Sequence, residues 1–313
     1  MSLRAGLCDN GFVVAGVQFD QHQCNQWVSM FEATVPSMAV DVDCTVKEYL
    51  KSVSTWNRHH PSVSAIVAHL APQVSAFLET MMGYNAELID GKLLMKGEHS
   101  PQATHAHQDL AYRWKENDVQ YHYSTWIPLT EVGVGQSPLE LLPGSHNDEV
   151  GAPQDYLKKG FVDRRLSKQW QDRREVVLVK PGEMIVFDSK IWHASSRWIR
   201  QPTRYAVILR WRIPGKPDMS LIKPAIEPRS IYNLSDWVEE HLRKMIDSES
   251  KGNELLVECI NNEKIPKLMT VLVKRYLVSR LAHEMHGGGS QSGGIYDSLA
   301  RCIDGYFENQ HVN

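Results

Sequence analysis

The residues with the most chemical potential are His107 and Asp109, one residue apart, and far downstream His193 and Arg204. On a β-strand side chains alternate with period two, so a His-x-Asp pair presents both groups to one face. His193, arriving from a distant strand, completes one face of a coordination octahedron. Two imidazoles and a carboxylate leave three adjacent positions open, which suits Fe(II) that must bind a cosubstrate and O2 together. Arg204 follows His193 by eleven positions (193 to 204), at the start of the next strand-forming run. A guanidinium there can grip a carboxylate in bidentate fashion about one small molecule's length from the metal. Ser195, two beyond His193, can add a hydroxyl to the same carboxylate. A lone His-x-Asp has little specificity, whereas the pair, the distant His and the Arg together are quite specific.

These groups need strands to carry them, and the pattern supplies strands where they lie. From about residue 85 short runs rich in Val, Ile, Tyr and Trp appear, at 119–129, 175–180, 183–188 and 204–213. Pro143-Gly144-Ser145 and Pro181-Gly182 mark turns between them. Several short strands punctuated in this way indicate a sandwich or barrel rather than alternating βαβ units. Upstream, 19–34, 45–57 and 61–82 have apolar residues at helical spacing, the last opening on Pro61 and ending before Gly83. Pro72 within it is expected to kink or split that helix. A polar, basic stretch over 146–174 reads as an insertion. After Pro228 the pattern is helical again through 235–247, 253–262, 265–285 and 295–309, with the run GGGSQSGG at 287–294 reading as a flexible linker. The division expected is a core domain over 1–228, including the N-terminal helices, and a helical extension over 229–313.

Bulk properties exclude several classes. The 313 residues are 42% hydrophobic and 23% charged, enough for a sizeable core. Thirty-four basic against 37 acidic residues give a formal charge of −3, which offers nucleic acid no electrostatic footing. No apolar run is expected to span a bilayer, and no secretory leader is read at the N-terminus. Cys8, Cys24, Cys44, Cys259 and Cys302 are scattered without a CxxC pair, as in a reducing compartment. The expected location is the cytoplasm.

Four stretches, THAHQD (104–109), PGSH (143–146), PGEMIVFDSKIWHAS (181–195) and RYAVILRW (204–211), give the chain a resemblance over roughly 85–213. It resembles the phytanoyl-CoA dioxygenase family of 2-oxoglutarate-dependent oxygenases. The resemblance implies a mainly β fold, a double-stranded β-helix (jelly roll, cupin-like) flanked here by N- and C-terminal helices. It implies that His107, Asp109 and His193 hold Fe(II), and that Arg204 with Ser195 holds the distal carboxylate of 2-oxoglutarate. Trp126 matches an aromatic wall of the pocket, and Lys96 a position that approaches cosubstrate or substrate. The family's usual Asn-Gly before the PGSH turn is replaced by Gln136-Ser137-Pro138, which alters the loop at the pocket mouth. The implied reaction consumes O2, decarboxylates 2-oxoglutarate to succinate and CO2, and oxidises a small-molecule substrate, with hydroxylation first. Desaturation and ring closure begin with the same hydrogen abstraction. Halogenation is disfavoured, because related halogenases replace Asp109's counterpart with a small residue. A binding protein that has lost turnover is the reading from another class.

Other residues read more plainly. His105 shares the parity of His107 and is expected near the pocket; His146 is expected to bond loop backbone. His283-Glu284-Met285-His286 has the wrong spacing for a zinc motif and reads as a solvated helix end. Arg164, Arg165, Lys168, Arg173 and Arg174 form a solvated basic face or greet an anionic substrate. Tyr121, Tyr123 and Trp126 are candidates to line the cavity. The C-terminal helices either pack on the barrel or join a homo-oligomer; no nucleic-acid or membrane partner is expected.

Overall fold

The β-branched and aromatic runs fold into two antiparallel sheets. The computed structural model describes residues 2–112, 122–148 and 164–214, with residues 278, 282 and 285–289. The larger sheet runs β1 (Phe12–Ala15), β8 (Met184–Asp188), β5 (Tyr123–Pro128), β10 (Arg204–Arg212), β3 (Glu87–Lys96), β2 (Thr55–Asn57) and β11 (Gly288–Gly289). The smaller runs β4 (Thr104–His107), β9 (His193–Ser195), β6 (Leu139–Leu141) and β7 (Glu175–Val177). The expected runs 183–188 and 204–213 become β8 and β10, 119–129 yields β5, and 175–180 yields β7 plus a bridge from Val179 to Val132.

Period two explains how the larger sheet serves two cores. On β10, Tyr205, Val207, Leu209 and Trp211 join the core beneath the helices, while Ala206 and Ile208 join the core between the sheets. On β8, Met184 and Val186 face the helices; Ile185 and Phe187 face the smaller sheet with Leu139, Leu141 and Val177. Strands buried on both faces read as continuous apolar runs, which is how 183–188 and 204–213 looked. The turn at Pro181-Gly182 needs its glycine: φ is 78°, and a Cβ there would overlap the Phe19 carbonyl.

The helical face comprises α1 (Leu3–Asn10), α2 (Gln21–Glu32), α3 (Val35–Asp41), α4 (Val46–Ser52) and α5 (Pro61–Met82). α5 has proline in its first turn and ends on Gly83 at φ 77°. The expected break at Pro72 does not occur; the helix is continuous. Pro72 and Ala68 are exposed, so the carbonyl that loses its bond faces solvent. α5 is long and apolar enough to cross a membrane by length and composition, contrary to the sequence expectation. Its Val63, Ile66, Val67, Leu70, Val74 and Leu78 are instead buried in the helix-side core. The helix expected over 45–57 stops at Ser52, and Thr55–Asn57 pairs with β3, because Val53 turns extended at φ −124°. α1, β1 and α3 escaped the sequence reading.

The boundary expected at 228 and the helices at 235–247, 253–262 and 295–309 lie outside the described residues. What is described nearby packs inward: Val278 and Ala282 are buried in the helix-side core. The linker reading fails at Gly288 and Gly289, which pair with Trp56 and Thr55. His286 is no solvated helix end either: its Nε2 lies 3.1 Å from Asp41 and its ring meets Tyr49 edge-on. Of the basic insertion, the described part forms α6 (Arg164–Arg173).

Candidate metal centre

The register of two short strands brings the imidazoles together. β4 and β9 pair antiparallel with His107 opposite His193 and Thr104 opposite Ser195. The two rings lie 4.2 Å apart between centroids, tilted by 49°. His193 Nδ1 is 3.1 Å from the Ile191 carbonyl oxygen. A carbonyl only accepts, so Nδ1 carries the proton and Nε2 keeps its lone pair for a metal.

Asp109 arrives by a different route from the one the pattern suggested. β4 ends at His107, and Asp109 opens a 3-10 turn over Asp109–Tyr112. The turn is pinned to the loop before β9: the Leu110 amide donates to Ser189 O at 3.1 Å and the Gln108 side-chain amide to Lys190 O at 2.7 Å. Asp109 Oδ1 then lies 3.7 Å from His107 Nε2 and 4.0 Å from His193 Nε2. The three ligand atoms fall within 4.8 Å of one another, and no other such group of His, Cys, Asp and Glu occurs among the described residues.

Two further groups hold the carboxylate. Arg210 donates to Oδ1 at 3.3 Å and the Ser124 hydroxyl to Oδ2 at 3.2 Å. Burial by itself would raise the Asp109 carboxyl; Arg210 first, then His193 and His107, hold it well below the usual carboxylate range. Arg210 was missed from sequence, though a signal existed: Arg204 and Arg210 are an even number of residues apart on one strand and so share a face.

One step further along β9 the character changes. Lys96, fully buried, donates to Ser195 Oγ at 2.7 Å and to Thr104 Oγ1 at 2.9 Å. Arg204 stands opposite Lys96 across β10 and β3, lies over the Trp126 ring at 5.3 Å, and donates to the Ser137 carbonyl at 2.7 Å. Ser195 thus meets Lys96 rather than Arg204. Burial first, then Arg204, pushes the Lys96 ammonium well below its ordinary value, with Glu140 opposing. Burial pushes the Arg204 guanidinium down to about 9, still charged at neutral pH. Arg204 Nε has no partner, and no carboxylate among the described residues lies within ion-pair distance of either cation. Two adjacent buried cations served only by neutral oxygens fit a ligand that brings its own carboxylate. Ser195, the hydroxyl that Lys96 grips, lies two strand residues, about 7 Å along β9, from His193.

The remaining candidates separate cleanly. The side chains of His105, Tyr121, Arg164, Arg165 and Lys168 lie outside the described residues. Tyr123 packs on the helix-side core, opposite in parity to Trp126, which does line the space between the sheets. His146 Nε2 lies 3.0 Å from the Cys8 carbonyl oxygen, a loop contact as expected. Arg174 pairs with Glu140 at 2.8 Å and Arg173 donates to Pro143 O, so both tie α6 to the smaller sheet. The unusual Gln136-Ser137-Pro138 segment supplies the carbonyl that Arg204 grips, with Ser137 at φ 61°.

Residues 7–199 match the family model of phytanoyl-CoA dioxygenase (PhyH). The chain belongs to the phytanoyl-CoA dioxygenase family. The match begins far upstream of the resemblance read from 85 onward, taking in α2 to α5, and stops just short of Arg204. Among solved structures, EctD from S. alaskensis with 2-oxoglutarate and 5-hydroxyectoine is similar at 18% identity, covering 72% of this chain and 84% of EctD, with a TM-score of 0.54. AviO1 from Streptomyces viridochromogenes Tue57 is similar at 15% identity, covering 69% of this chain and 96% of AviO1, with a TM-score of 0.51. A further EctD structure has bound Fe and matches with a TM-score of 0.52. At these identities the likeness is one of fold: a mainly β domain built on antiparallel sheets. No curated protein sequence matches the chain significantly. In this family setting His107, Asp109 and His193 form a site able to hold iron.

Proposed function

We propose that this chain is an Fe(II)- and 2-oxoglutarate-dependent oxygenase that oxidises a small molecule, most simply by hydroxylation. The observation that carries the reading is a His-Asp-His cluster whose His193 is on the same strand as the hydroxyl held by one of two adjacent buried, carboxylate-free cations. His107, Asp109 and His193 would hold the metal on one face, leaving the other for cosubstrate and O2. Arg204 and Lys96 would hold the distal carboxylate of 2-oxoglutarate, with Ser195 and Thr104 fixing the ammonium. Trp126 backs the guanidinium with its ring face and closes the pocket on that side. Bound iron and 2-oxoglutarate supply the oxidising chemistry, coupling decarboxylation to succinate and CO2 with oxidation of a substrate C–H bond. The protein's part is to orient these groups and exclude water: Ile185, Phe187, Ala206 and Ile208 make an apolar floor between the two charged ends. EctD's structure with 2-oxoglutarate and 5-hydroxyectoine, a hydroxylated small molecule, is consistent with hydroxylation on this fold.

The test is anaerobic addition of Fe(II) and then 2-oxoglutarate to metal-free protein. A weak visible charge-transfer band that His193→Ala lacks is the expected result. A folded protein that binds Fe(II) but never shows the band with 2-oxoglutarate would remove the cosubstrate assignment.

A further inference from the structure

The stripe of inward-facing residues on β3 and β10 has charge at both of its ends, and the end beside the metal cluster contains a residue that the ligand set does not account for. Arg210 reaches Asp90 Oδ2 at 3.0 Å with one terminal nitrogen and Asp109 Oδ1 at 3.3 Å with the other. Oδ1 is also the Asp109 oxygen that faces both imidazole Nε2 atoms. Ser124, from β5, occupies Oδ2 from the other side. The two oxygens of one carboxylate are therefore gripped separately by two strands of the larger sheet, while the residue's own backbone belongs to a short turn rather than to either sheet. Gln108 and Leu110 pin the turn's backbone, but the carboxylate still turns about its own side-chain bonds, and an outside grip on each oxygen is what fixes its plane.

We propose that Arg210 is a positioning residue for the metal, aimed by Asp90 and acting through Asp109. With Ser124 on Oδ2 and Arg210 steering Oδ1, Asp109 offers a single oxygen toward the imidazoles and cannot rotate to offer both. A carboxylate that chelated through both oxygens would close one of the three positions that the cosubstrate and O2 require. Arg210 thereby does for Asp109 what the Ile191 carbonyl does for His193: each fixes the direction in which a ligand atom points. The proposal rests on His107, Asp109 and His193 being a metal centre.

Titration of the metal-free full-length protein with Co(II), followed by its visible spectrum, tests it. Arg210→Met is expected to raise the Co(II) dissociation constant by roughly tenfold or more, in the range typical for losing such a supporting contact. The cobalt spectrum should change shape, since the carboxylate is free to turn. Arg210→Lys, which keeps the charge but cannot span two carboxylates, should restore part of the affinity. If Arg210→Met does not fold, Arg210→Lys alone must bind Co(II) several-fold more weakly than wild type with an altered spectrum. Wild-type affinity and spectrum in the folded variants would overturn the role of Arg210 while leaving the metal centre standing. Weakened binding with an unaltered spectrum would also overturn it, as a merely structural effect. Failure of the wild-type chain to bind Co(II) at all would instead overturn the metal centre itself.

Discussion

The two ends of the inward stripe are built from similar residues and differ in one respect. At the metal end Arg210 is matched by Asp90 and Asp109. At the other end Lys96 and Arg204 stand side by side with hydroxyls, a carbonyl and an indole ring for company. One end closes its charge balance within the chain, and the other leaves it to a ligand. A buried unpaired cation costs stability, and folds retain such groups where binding needs them. The imbalance is therefore the more informative observation about the cosubstrate, and the balance the more informative about the metal.

The largest effect should come from breaking the balanced end. Asp109→Ala leaves Arg210 without its inner partner and takes away a ligand; metal binding and succinate formation should both fall below detection, measured by metal content after dialysis and by product assay. Next is the open end: Arg204→Met should weaken 2-oxoglutarate binding by about 2–5 kcal/mol, the usual cost of losing a buried charge-assisted pair, with metal affinity unchanged. Calorimetric titration reads both, and an unchanged cosubstrate affinity would move the carboxylate contact elsewhere. Lys96→Met sharpens the contrast, because its two effects have opposite signs. Cosubstrate affinity should fall, while the cosubstrate-free protein should gain about 1 kcal/mol of stability from losing a buried ammonium, read by denaturant unfolding.

The lowered Lys96 ammonium also gives a pH signature. Its folded-state value lies below the unfolded one, so the unfolded chain binds more protons between the two, and stability of the cosubstrate-free protein should rise with pH across that window. A bound dianion would favour the charged form and flatten the slope, and Lys96→Met should abolish that part of it. The smallest effect belongs to Arg174→Ala. Its pair with Glu140 is partly exposed, so stability should change by less than about 1 kcal/mol and 2-oxoglutarate affinity should hold.

Much of this was legible in the chain. His193 and Arg204 were placed by PGEMIVFD and RYAVILRW, continuous apolar runs of the kind doubly buried strands show, and His107 and Asp109 by the His-x-Asp pattern of THAHQD and the family resemblance. Pro61 and Gly83 bounded α5, because φ preferences act locally. Asp109 was chosen for the wrong local reason: alternation along a strand does not deliver it, and a turn pinned by Gln108 and Leu110 does.

The sequence by itself determined the residue types, the β core and the chemistry that two imidazoles, a carboxylate and a distant guanidinium can do together. Those follow from periodicity and ligand preference, which are properties of neighbours along the chain. Only the tertiary structure decided that Arg210 grips Asp109, that Ser195 serves Lys96, that Tyr123 and Trp126 face opposite cores, and that Gly288 and Gly289 complete a sheet edge. Each of those depends on strand register across more than eighty residues of separation, or on which face of a shared sheet a side chain occupies. Such contacts are settled by burial and hydrogen bonding in three dimensions, so nothing in the local sequence could name the partner.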